Sequence, residues 1–209
     1  MAGSRRALDE GVERLKGIIG DMAAASLNCL AEAFRMLSED RGAGEVRRIS
    51  DQLQFMREEA GDLAIELLAR YQPLATDLRF IRSCIQAAYD FSRMGRYALD
   101  IAEAAEIVRN NRCGLEEVRE MHAIVMRMVE EAGRAFLRGD IELAKKIRRM
   151  DDEADKLYKK YLEKLVLGKI EGNPACMVAT ALIMRYLERV ADHACYIADS
   201  TIYTSLGKI

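Results

Sequence analysis

A chain of 209 residues, half hydrophobic and 32% charged, has the material for one large or two small soluble helical domains. Its 32 basic and 34 acidic residues leave a net charge of -2, which gives no support for broad nucleic-acid or membrane-surface binding. Two prolines, no tryptophan and 6% aromatics favour helix over sheet, and no apolar run is long enough to span a bilayer.

The first predicted helix covers about 5–39, with Leu15, Ile19, Ala23, Leu27, Leu30, Phe34 and Leu37 recurring every three or four residues. EDRGAG breaks it, because clustered glycines disfavour helix. The second covers about 45–70, through Leu53, Met56, Ala60, Leu63 and Leu67. QPLATD follows, where Pro73 suits a helix start, and the third helix covers about 75–108. In this segment Asp77 can lie near the positive helix end, and Arg79 follows. Arg79 either fixes the helix start or contacts a partner.

NNRCG divides the chain. A fourth helix then covers about 115–137 and ends at RGD, a fifth covers 141–168, and KIEGNP leads into a sixth at 174–205. Short connections between long helices imply antiparallel neighbours. The expected fold is all-α: six helices as two tandem three-helix bundles, residues 1–113 and 114–209.

The halves align as an internal repeat. Arg47, Arg48 and Ser50 fall on Arg148, Arg149 and Asp151, Pro73 on Pro174, and Arg93 and Ala98 on Arg189 and Ala194. The second half carries two acidic pairs at helical i,i+4 spacing: Asp151 with Asp155, and Glu188 with Asp192. Residues four apart share a face, about 5–6 Å apart at Cβ. If the fifth and sixth helices pack together, four carboxylates converge, and a hard cation would relieve their repulsion. The alternative is a solvated face, since Lys145, Lys146, Arg148, Arg149, Arg185 and Arg189 surround these acids. In the first half the same places hold Ser50, Gln54, Ser92 and Arg96, a degenerate copy. Arg96 either stands in for a lost cation, paired with Asp51, Asp62 or Asp100, or is an exposed arginine. His193, next to Asp192, points about 100° away around the helix and is expected to partner a neighbouring helix.

The five cysteines are odd in number and form no C-x-x-C, and the chain start lacks a secretory pattern. Reduced core thiols and a cytoplasmic location are the expectation. There is no glycine-rich phosphate loop, G-x-S-x-G or H-E-x-x-H, and neither His122 nor His193 follows a glutamate at i-3 as a di-iron bundle requires.

ELLARYQPLATDLRFIRS, MDDEADKLY and YLERVADHACYIAD together resemble the signature segments of the PhoU family, in order and over essentially the whole chain. The resemblance implies a cytoplasmic, non-catalytic regulator of phosphate uptake. Its partners would be the ATPase subunit of a phosphate ABC transporter, a phosphate-sensing histidine kinase, or both, with membrane contact only through them. It also implies iron, zinc or manganese at Asp151, Asp155, Glu188 and Asp192, in the second bundle only. A homodimer is expected because duplicated bundles leave apolar stripes for symmetric contact. The competing readings are a metal-carboxylate enzyme or metal-storage bundle, and an accessory protein of another anion permease.

Overall fold

The computed structural model describes residues 2–207. Among these residues there are six α-helices and no strand: α1 Ala2–Arg35, α2 Gly44–Tyr71, α3 Ala75–Asn110, α4 Glu116–Arg138, α5 Ile141–Val166 and α6 Pro174–Leu206. Boundaries follow local chemistry. Asp140 caps α5 by accepting from the Leu143 amide at 2.9 Å, and Asn173 caps α6 by accepting from Ala175 at 2.9 Å, with Pro174 in the first turn. The α4 helix closes on Gly139 at φ 66°, where the Asp140 amide bonds back to the Ala135 carbonyl at 2.9 Å.

Pro73 differs from its counterpart Pro174. The α3 helix begins two residues later, at Ala75, which takes a positive φ of 49°. Asp77 still lies in the first turn and pairs with Arg5 at 2.5 Å.

α1, α2 and α3 pack on one another, as do α4, α5 and α6. The triplets join mainly through α3 against α6, supported by α1 against α4, while α2 and α5 do not meet. The core is one continuous apolar cluster crossing this junction, with Phe91, Met22, Met94, Met121 and Met128 fully buried. Half-buried His122 packs at its edge: the ring stacks on Phe34 at 3.6 Å, and burial pushes its pKa down to about 4.

The junction is also polar. Asp90 of α3 is completely buried, its Oδ1 lies 2.8 Å from Nδ1 of His193 on α6, and the Gln86 amide donates to both carboxylate oxygens at 3.2 and 3.3 Å. Burial pushes the Asp90 carboxyl up, and these hydrogen bonds partly offset the rise. Tyr89, Tyr97 and Tyr196 surround the His193 ring, with centroids 5.4–6.1 Å away. The register that sets Ser92 on Glu188 also sets Asp90 on Tyr186 and Tyr97 on His193. Tyr97 and Tyr186 stack at 6.4 Å. The Asp90–His193 pair and the Tyr186–Tyr97 pair are therefore counterparts across the pseudo-twofold, one polar and one aromatic.

The reduced-thiol expectation is corrected at one place. Cys113, in the α3–α4 link, and Cys176, in the first turn of α6, form a disulfide with Cα atoms 5.3 Å apart. The up-and-down course of the helices brings these segments to the same end of the molecule. Asn173 and Asn111 hydrogen-bond beside the bridge at 2.7 Å. Cys29, Cys84 and Cys195 are free, and burial pushes all three thiols up, Cys29 to about 12.

Candidate metal centre

Asp151 and Glu188 each feel one acid of the opposite helix across the seam between α5 and α6, Asp192 and Asp155 respectively. Asp151 is pushed up to about 6, first by partial burial and then by Asp155 on its own helix and Asp192 on α6. Glu188 is also raised, first by burial and then by Asp192, with Asp155 of α5 adding to it. These residues reach the seam because each pair lies beside its helix's apolar stripe: Ala154 and Ile147 on α5, Ala191 and Met184 on α6, all buried.

Cations from the same helices hold three of the four acids. Arg185 donates to both oxygens of Glu188 at 2.7 Å, Arg189 bonds Asp192 at 3.1 Å, and Lys159 bonds Asp155 at 2.6 Å. Arg148 takes Asp199 at 2.8 Å through Nε. Asp151 has no such partner, and its buried Oδ1 makes no hydrogen bond. Among the described residues, no three His, Cys, Asp or Glu side chains are gathered closely enough to hold one metal ion. By type the four carboxylates are oxygen donors that a hard cation accepts, and Asp151 Oδ1 is without a partner at the seam, but the four are not gathered as a metal site. Occupancy would require Arg185, Arg189 and Lys159 to release their acids.

The orphan makes Asp151 costly without a bound cation. Its folded pKa of about 6 stands above the ordinary 3.8, so its contribution favours the fold at low pH and is lost as pH rises through 6. Asp151→Asn is expected to stabilise chelator-treated protein at pH 7 by roughly 1 kcal/mol, after discounting for the group's partial exposure. Urea unfolding at pH 7 and pH 4 checks this: the gain shrinks at the lower pH. Equal stability of both proteins at pH 7 would refute the burial cost.

The degenerate copy lies between α2 and α3. Ser50 and Ser92 are buried, and Gln54 donates to Glu58 at 3.1 Å. Arg96 pairs with Asp100 at 3.2 Å, with its side chain 54% exposed, and is not a buried substitute cation. Arg79 is spent within the chain: its Nε donates to the Thr204 carbonyl near the end of α6 at 3.1 Å, and Nη2 reaches Thr76 at 3.2 Å.

Sequence reading missed two features. The buried Asp90 sits on an unremarkable stretch of α3, and only packing reveals its role. The cysteine pair had an available signal, since alternating helix direction puts the α3–α4 and α5–α6 links at one end.

Comparison with known proteins bears on both halves of the chain. A phosphate-specific transport system accessory protein PhoU homologue from Methanothermobacter thermautotrophicus is 39% identical over 67% of this chain and 66% of its own length. A like-named homologue from Pseudomonas aeruginosa is 34% identical over 91% of this chain and 79% of that protein. The crystal structure of PhoU from Pseudomonas aeruginosa superposes with a TM-score of 0.79 at 31% identity, covering 99% of each chain. The model of the PhoU domain matches residues 19–105 and again 118–201, once per helix triplet, and with both repeats matched the chain belongs to the PhoU family.

Proposed function

We propose that this chain is an accessory protein of a phosphate transport system. It acts without catalysis, by docking a helical face on the transporter's ATPase subunit or on a phosphate-sensing histidine kinase. The observation that carries this reading is the PhoU domain match in both halves, alongside relatives named as accessory proteins of phosphate-specific transport. Docking changes the partner's activity only if the chain binds one of the partner's conformations more tightly than the other. No helix among the described residues is long and apolar enough to cross a membrane, which accords with membrane contact through partners in the cytoplasm. A homodimer is part of the same reading.

The metal belongs to the proposal too. Asp151, Asp155, Glu188 and Asp192 would hold iron, zinc or manganese, which would supply positive charge between α5 and α6 and brace the two helices. The first repeat, with Ser50, Gln54, Ser92 and Arg96, would hold none.

Two measurements test the reading. Metal content of protein purified without chelator or histidine tag is expected to be near-stoichiometric, and lost in Asp151→Ala/Glu188→Ala. Absence of metal from both would remove the metal and leave the docking proposal standing. Calorimetric titration against the purified ATPase subunit and the kinase's cytoplasmic domain tests docking, and heat from neither would sink it.

A further inference from the structure

The degenerate first-repeat site has not merely lost its acids. Of the three cations that hold the second-repeat acids it keeps one, with Tyr89 and Glu58 in the registers of Arg185 and Lys159. Arg93 occupies the register of Arg189, and Arg47 that of Arg148. In the second repeat both are committed to carboxylates, Arg189 to Asp192 at 3.1 Å and Arg148 to Asp199 at 2.8 Å. In the first repeat Ser92 and Arg96 replace the acids beside Arg93, and Arg57 adds another cation.

These residues line a groove of about 300 Å³ between α2 and α3. Beside it the two helices approach closely at Gly95, where a Cβ would stand 2.6 Å from Leu53 Cδ1 and 3.5 Å from Ser50 Cα. The lining of the groove includes buried Ser50 and Ser92, half-buried Arg57 and Arg93, and exposed Arg47 and Arg96. The Ser92 hydroxyl donates to the Tyr89 carbonyl at 3.0 Å, whereas the Ser50 hydroxyl has no hydrogen-bond partner among the described residues.

Acids face the groove as well. Asp51 lines it, Glu103 lies 3.4 Å from Arg47, Asp100 3.2 Å from Arg96, and Glu58 3.9 Å from Arg57. Arg93 has no carboxylate within ion-pair distance among the described residues. Its Nη2 donates to the Tyr97 hydroxyl at 2.9 Å, and its guanidinium lies 4.9 Å from the centre of that ring. The tyrosine orients Arg93 without neutralising it, and Arg57 is held only loosely. Arg47 and Arg96 make single contacts on exposed side chains, which are weak and can be exchanged.

We propose that this groove is an anion site for a phosphate-type oxyanion, either free or as the terminal phosphoryl group of a nucleotide. Planar guanidinium forks match the geometry of such oxygens, and Ser50 adds a hydroxyl to the lining. Duplication has thus produced two sites of opposite preference in one chain, cationic ligand in the α5–α6 seam and anionic ligand in the α2–α3 groove. The site lies in the other repeat from the proposed metal centre and does not depend on it, so either can fail alone.

The test is calorimetric titration of the full chain, in chelator, with inorganic phosphate, with ATP and with sodium chloride at matched ionic strength. Wild type is expected to bind at least one of the first two saturably and to show nothing with chloride. Saturation by phosphate identifies the free anion as sufficient, while saturation by ATP alone identifies the nucleotide source. Arg93→Gln is expected to weaken binding roughly tenfold or more, the size of one lost charge-assisted hydrogen bond. Ser50→Asp, which restores the residue type of the second repeat at a position known there to fit the fold, is expected to abolish it. No saturable binding by wild type, or binding unaltered in both variants, would overturn the proposal.

Discussion

His193→Leu is expected to lower the stability of the protein by about 3–5 kcal/mol, because it strands a buried carboxylate. Asp90 is fully buried at the α3–α6 junction, and its partners are His193 at 2.8 Å and the Gln86 amide. Without the imidazole, one amide is left to solvate a charge that water cannot reach. Replacing both partners with leucine removes the charge and its partner together, and such apolar replacements of buried pairs are often close to neutral. The double variant is therefore expected to recover most of the loss. The pH dependence has a definite sign. Burial holds the Asp90 carboxyl above its ordinary 3.8, and loss of His193 removes an interaction that lowers it. The deficit of His193→Leu should thus shrink as pH falls through the raised folded value, because a neutral Asp90 costs less to bury. Urea unfolding of the two single variants and the double variant forms a cycle that measures the coupling. A single variant and a double variant equally damaged would mean that ring packing, rather than the Asp90–His193 hydrogen bond, holds the junction.

The second large effect concerns the Cys113–Cys176 bridge. Reduction, or Cys113→Ser, is expected to cost roughly 2–4 kcal/mol, because the bridge closes a loop spanning 63 residues and constrains the unfolded chain. It ties the α3–α4 link to the start of α6, and α4 and α5 lie wholly within the closed loop. Alkylation of the denatured chain should block three thiols before reduction and all five afterwards. Denaturation with and without reductant then measures the energy, with Cys113→Ser as the control in which reductant has no effect. Five reactive thiols in the unreduced protein would show that the bridge is not formed in solution. The outcome bears on compartment, since disulfides persist poorly in a reducing cytosol unless they are protected or regulatory.

The helix pattern was legible to within a few residues because apolar spacing and chain breakers act locally. The greatest difference at a helix end is at α1, predicted to 39 and ending at Arg35. The local hydrogen bonds at Met36–Glu39 are turns rather than continued helix, leading into the EDRGAG break. His193 was expected to meet a neighbouring helix from its angle around α6, and it does, on α3. The placement of Arg79 was not legible. Helix position alone leaves open a fixed helix start or a partner contact, and its bond to Thr204 depends on α6 ending beside the start of α3.

The acidic pairs show where local information stops. Spacing determines that Asp151 and Asp155 share one face, and Glu188 and Asp192 another, because 3.6 residues per turn is a property of the backbone. Whether those faces oppose, and which acid is left without a cation, depends on the rotation of α5 against α6. Only tertiary packing decides that, and it leaves Asp151 as the orphan while Arg185, Arg189 and Lys159 occupy the others. The same holds for Asp90 and for Cys113 with Cys176, whose partners are 103 and 63 residues away. The sequence by itself determined six helices, their duplication and the family. Long-range packing decided which polar groups are buried, paired or left over, because desolvation and hydrogen bonding depend on neighbours that chain position does not reveal.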